Sequence, residues 1–199
     1  MIDGASDMQR EGLLDRIARF ADSRAALGLV GGWAFAEAIV FPVVPDVALG
    51  LLALAAPRRT LALFAAVVVG ALLGSLVLAV LATGAPTEVD AMLLALPAID
   101  PTTLATVDAR LASDGVAGFA QVGAGPPLKV YTASWIGGGG GLASLVAGVV
   151  LNRITRIGPV VLVAAVAGWL LPGWLRRHER LVVGGYGVAW TAFYAAYWS

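Results

Sequence analysis

The ten residues EAIVFPVVPD, from Glu37 to Asp46, constrain this chain more than any other stretch. They sit inside a long apolar run, 25–56, and put two carboxylates and two prolines where a continuous helix in apolar surroundings tolerates neither. A membrane-spanning helix needs about 20 residues, and Pro42 and Pro45 divide the run into a longer arm and a shorter one. The arm after Asp46 is too short to cross. One kinked span would also place Arg24 on one side and Arg58 and Arg59 on the other, against the tendency of cationic loops to share a side. A re-entrant hairpin over 25–56 removes both difficulties, because it enters and leaves on one face. Its tip, shaped by Pro42 and Pro45, carries Asp46 to membrane depth, where irregular backbone persists only if buried in protein or lining a watery cavity.

Composition agrees with such a setting: 59% of residues are hydrophobic and 13% charged, the signature of an integral membrane protein, here expected to be all-α. Basic and acidic residues balance at 13 each, so nothing points to nucleic acid. The absence of cysteine and the single His178 exclude a disulfide framework, a thiolate metal site and a histidine cluster, and no cofactor or metal is expected. His178, within RRHER, reads as a solvated residue beside the membrane. Segment 1–24 interleaves acids with arginines and lacks the apolar core of a secretory signal, so it is expected to be retained. Its Leu13, Leu14, Ile17 and Phe20 fall at helical spacing. That suits either an interfacial helix or a solvated helix packed on its own protein.

The remainder, 25–199, reads as a single membrane domain. Residues 60–83 form a spanning helix whose Gly70, Gly74 and Ser75 suggest close helix packing. Segment 84–114 holds five acids against one arginine and reads as an outward loop, with Asp100 and Pro101 as N-cap and first residue of a small helix. Over 115–141 the broken pattern returns: a short apolar arm, GAGPPLK with Pro126 and Pro127, then VYTASWI and five glycines. This is a second hairpin, inserted from the opposite face. Residues 142–172 form one long tilted helix with Arg153 and Arg156 on one face near mid-membrane and a kink just past them supplied by Pro159. The other reading of the same residues is a loop between two short helices. Residues 181–198 cross last, ending in aromatics suited to an interface belt. The fold expected is thus two oppositely inserted re-entrant helical hairpins plus about three transmembrane helices. Paired, Pro/Gly-interrupted apolar segments of this kind point to a transporter's midplane site.

Five ionisable side chains then lie at membrane depth: Glu37, Asp46, Lys129, Arg153 and Arg156. A charge at a helix centre costs roughly 2.5–3.5 kcal/mol on insertion scales, so such groups are paired or face water. The two tips and the arginine face are expected to meet around one polar cavity. There Glu37 and Asp46 would carry protons, and Lys129, Arg153 and Arg156 would hold a phosphate-bearing headgroup. Asp46 can alternatively cap the second arm, and Lys129 can snorkel to the headgroups from a shallow hairpin.

An acid followed by FPxxPD, a Pro-Arg-Arg turn, a small-residue helix, then PPLKVY at 126–131 and NRITR at 152–156, resembles the DedA family (SNARE-associated or VTT domain), most closely its YqaA-like branch. The resemblance covers about 33–171. It implies a multi-pass protein of the bacterial plasma (inner) membrane that moves phospholipid or polyprenyl-phosphate headgroups with proton coupling, with membrane lipids and protons as partners. By position, Glu37 and Asp46 match the family's first-hairpin acids, Lys129 the basic position of the second hairpin, and Arg153 and Arg156 the helix arginines. The pattern departs from the family at Ala38, Gly123 and Gly125, so substrate identity does not transfer. The alternative from another class is a non-transporting membrane organiser whose buried charges are a structural ion-pair network. No serine, histidine or cysteine constellation supports an enzyme, and a homo-oligomer is compatible with either reading.

Overall fold

The structure, a computed structural model, describes residues 12–122 and 125–197. Among these residues all regular structure is helical. Helix α1 (Leu13–Ala21) turns Leu14 and Ala21 inward and packs on α3. Its Asp15 pairs with Arg176 at 3.3 Å, and Asp22 just beyond it pairs with Arg59 at 2.9 Å. Both pairs are exposed and contribute little individually. Arg59 and Arg176 line one pocket of about 460 Å³ together with Arg58.

The first broken element has arms of unequal length. Helix α2 (Arg24–Ile39) is capped by Ser23, whose hydroxyl accepts the Ala26 N–H at 3.1 Å, and α3 (Asp46–Ala55) returns after a break at residues 40–45. The last backbone donors of α2, Val40 and Phe41, both bond to the Ala36 carbonyl, after which Pro42 has no N–H to continue the ladder. The expected break therefore falls where the prolines put it.

Helix α4 (Thr60–Gly84) follows the tight turn Pro57–Arg59 and lies along α2. Its glycines make that approach possible: a Cβ at Gly70 would stand 2.0 Å from the Gly31 carbonyl oxygen, and one at Gly74 2.4 Å from that of Phe35. With its leading turn, α4 is long and apolar enough to cross a membrane.

Segment 84–114, expected as a loop with one small helix, holds two: α5 (Pro86–Leu94) and α6 (Pro101–Asp114). The expected cap is present, with Asp100 accepting the Thr103 N–H at 2.7 Å. The second broken element departs from expectation. Its first arm is a single turn of 3₁₀-helix, Gly115–Phe119, followed by extended chain, and only α7 (Leu128–Gly137) is a regular arm. Glycines at 115, 118 and 125 deny this segment the length and propensity of a helix. Helix α6 packs against both the turn and α7 in its place.

The long helix expected over 142–172 is two helices, α8 (Leu142–Arg156) and α9 (Gly158–Leu170), bent by 43° at Ile157. Pro159 cannot donate to the Thr155 carbonyl and its ring crowds that group, which explains a bend of this size at this point. A short α10 (Pro172–Arg177) precedes α11 (Glu179–Tyr197). The expected three long apolar helices reduce, among the described residues, to α4, joined by α8–α9 if that bent pair is one span. Helix α11 has 19 residues, but Gly184, Gly185, Gly187 and its tyrosines dilute its apolar character.

Candidate functional site

The two breaks meet. The first is closed on itself by the Trp33 indole, which donates to the Val43 carbonyl at 2.8 Å. The second touches it through Lys129, whose ammonium donates to the Phe41 carbonyl at 2.9 Å. That carbonyl belongs to the stretch without helical partners, so the contact satisfies an orphaned acceptor with a buried cation. Lys129 is 1% exposed and does not snorkel to the surface.

Beside this contact Arg153 donates through Nη2 to Glu37 Oε2, an ion pair with both side chains fully buried. The pair is single-pronged. Glu37 Oε1 and Arg153 Nε and Nη1 have no hydrogen-bond partner, so three charged atoms lie out of solvent without the second bond that a guanidinium and a carboxylate can share. Such an arrangement is poor as a purely stabilising device, because desolvating each ion costs several kcal/mol.

The motif NRITR explains how chain without helical hydrogen bonds is held on either side of the second break. Asn152 donates to the Phe119 carbonyl at 3.0 Å, Thr155 accepts the Gln121 N–H at 3.0 Å, and Arg156 donates to the Pro126 carbonyl at 3.3 Å. Gln121, with its amide turned to suit both neighbours, donates to the same Pro126 carbonyl at 3.1 Å and accepts the Gly125 N–H at 3.0 Å. Asn152, Thr155 and Arg156 thus face the second break while Arg153 turns to Glu37, and the backbone at the second break is held by side chains rather than by a helical ladder. Arg110 adds a bond to the Ala120 carbonyl.

Two spaces adjoin the charges. The inner one, about 20 Å³, is walled by Glu37, Pro42, Pro127, Lys129 and Arg156, room for no more than about one water. The outer one, about 340 Å³, is a groove between α11 and the first break, with Arg156 and Val160 also in its wall and Asp46 and Arg156 as its charged lining. Val44, Arg156 and Phe193 belong to both. Of the residues picked from the sequence, Glu37, Lys129, Arg156, Pro42 and Pro127 therefore share one cavity, Arg153 joins through Glu37, and Pro126 through its carbonyl. Asp46 stands apart, facing the groove, and Pro45 is buried at the start of α3. Asp46 makes no capping bond to α3, and its Oδ1 has no partner. Gly123 lies outside the described residues.

Sequence reasoning missed Asn152, Thr155 and Gln121, whose polarity inside an apolar stretch was the available signal. It also missed α11. Three of its tyrosines bind the breaks: the Tyr194 hydroxyl accepts the Val44 N–H at 2.8 Å, Tyr186 donates to the Asp46 carbonyl at 3.0 Å, and Tyr197 donates to the Gly125 carbonyl at 3.3 Å. The turn joining α5 to α6 contributes Leu96, Pro97 and Ile99 to the inner cavity, and Ala98 there holds a left-handed φ of 61°. A non-glycine residue in that region is strained and gathers at sites held by their surroundings.

No protein-family model, curated protein or solved structure matches the chain. The DedA-like pattern rests on its motifs.

Proposed function

We propose that this chain is a multi-pass membrane protein of DedA type, in the bacterial plasma membrane, that translocates a lipid phosphate headgroup with proton coupling. The observation that carries the reading is the buried charge cluster at the meeting of the two breaks: Glu37 paired with Arg153, and Lys129 and Arg156 on the same cavity. With Asp46 the set has three cations and two carboxylates, an excess of one positive charge suited to an anionic group.

The membrane setting is supported by the outer faces of the helices. Leu61 on α4, Leu170 on α9 and Leu181 on α11 are 79, 72 and 74% exposed, and Val80, Leu162, Val163 and Val188 join them. An apolar surface this wide suits hydrocarbon. In that setting the two breaks act as re-entrant hairpins inserted from opposite faces, with irregular backbone tied to protein side chains.

The mechanism follows from the pair. A proton on Glu37 removes the counter-charge of Arg153 and leaves Arg153, Lys129 and Arg156 to hold a phosphate. Loss of that proton returns Arg153 to Glu37 and releases the ligand. The inner cavity is too small for a headgroup, so binding requires the hairpin tips to part, which fits alternating access around a fixed midplane site.

The tightness of that cavity favours a second reading, a membrane-organising protein in which the charges are a structural network. Purified protein in vesicles with fluorescent phospholipid and polyprenyl phosphate separates the two. Translocation above protein-free vesicles supports the transporter, and none under any gradient supports the organiser.

A further inference from the structure

The outer groove carries chemistry that the inner cavity does not. Its walls are apolar and aromatic, from Val44, Val160, Trp190 and Phe193, and its polar end has one acid and one base, Asp46 and Arg156. Asp46 is 5% exposed with Oδ1 unpartnered, and α3 draws no cap from it, so the fold makes no use of this oxygen. Arg156 spends one long bond on Pro126, and a guanidinium has five N–H donors. The two are not an ion pair with each other.

We propose that this groove binds one phospholipid from the bilayer, and that it selects a phosphodiester headgroup bearing a primary ammonium, with the ammonium on Asp46, the phosphate on Arg156 and the acyl chains along Trp190 and Phe193. The inference rests on the membrane reading above and narrows its ligand. A polyprenyl phosphate brings only negative charge and faces the Asp46 carboxylate without compensation. A trimethylated ammonium has no N–H for Oδ1, whereas a primary one has three. A volume of about 340 Å³ accommodates a headgroup and the first part of the chains, and the shared walls Val44, Arg156 and Phe193 make the groove an antechamber to the inner cavity.

Trp190 is a reporter already in place. The full chain is reconstituted in phosphatidylcholine vesicles carrying increasing fractions of lipid with brominated acyl chains and either an ethanolamine headgroup or its mono-, di- or trimethylated form. Quenching assigned to Trp190 is the difference between wild type and Trp190→Phe. The expected result is half-quenching at an about tenfold lower fraction of the ethanolamine lipid than of the choline lipid, as a charge-assisted hydrogen bond implies. Selectivity should fall stepwise with methylation and vanish in Asp46→Asn. Equal quenching across the headgroup series in wild type overturns the inference, and that arm depends on no variant folding. Translocation is measured in the same vesicles. Transport without headgroup preference at Trp190 overturns the inference and leaves the transporter standing, while preference without transport does the reverse.

Discussion

Removing one member of the Glu37–Arg153 pair should cost far more than removing both. Glu37→Gln keeps the shape and an acceptor but leaves a guanidinium that is 0% exposed without its counter-charge, with Nε and Nη1 already unpartnered. Breaking a buried pair from one side costs about 3–5 kcal/mol. For a chain of this size roughly 2–4 °C accompanies each kcal/mol, so the midpoint should drop by roughly 6–20 °C. Arg153→Met should cost a similar amount by stranding the carboxylate. The double variant should recover most of the loss, because both desolvation penalties disappear together, giving a coupling of about 2 kcal/mol or more. Thermal unfolding of the four proteins in one mild detergent measures the cycle. Additive single effects, or a Glu37→Gln midpoint within about 2 °C of wild type, would refute the reasoning, since a fully buried ion cannot lose its counter-charge at no cost.

Three further outcomes follow from other parts of the structure. Gly70→Val should push α2 from α4, because even a Cβ there meets the Gly31 carbonyl at 2.0 Å, and should lose about 3 kcal/mol or more with little monodisperse protein on gel filtration; Gly32→Ala, with nothing within 4 Å, should behave as wild type. Tyr194→Phe strands the Val44 N–H and should cost about 1–3 kcal/mol in the same thermal assay. Asp100 is held below the usual carboxylate range by the Thr103 backbone and hydroxyl hydrogen bonds, so its contribution to α6 is complete above the ordinary carboxylate value and is lost as pH falls through the lowered one; the protection of the Thr103 amide, its exchange relative to the intrinsic rate at each pH, should fall in acid in wild type but show no such step in Asp100→Asn.

The sequence was most legible where an apolar pattern collided with residues that cannot serve it. Pro42 and Pro45 announce a break whatever the tertiary context, and the structure ends α2 at Ile39 and restarts at Asp46. Glu37 and Arg153 are 116 positions apart, yet each was conspicuous for the same reason, that an isolated charge in apolar surroundings needs a partner. Less legible were elements whose conformation depends on what they touch. The extended chain before Pro126 is stable because Asn152, Thr155 and Gln121 satisfy its backbone, and local propensity cannot anticipate such long-range bonds. Pro159 signalled a kink but not that α8 and α9 would separate into two helices. The tyrosines of α11 resemble an interface belt in sequence, and only their neighbours reveal them as ties to the two breaks.

The central claim is that the Glu37 cluster is a proton-linked translocation site. Its most direct test is lipid translocation by wild type and Glu37→Gln, reconstituted at equal density, with and without an imposed pH gradient. The account predicts gradient-stimulated transport by wild type and loss of both transport and gradient response in the inserted variant. Transport by Glu37→Gln that equals wild type and responds equally to the gradient would contradict it.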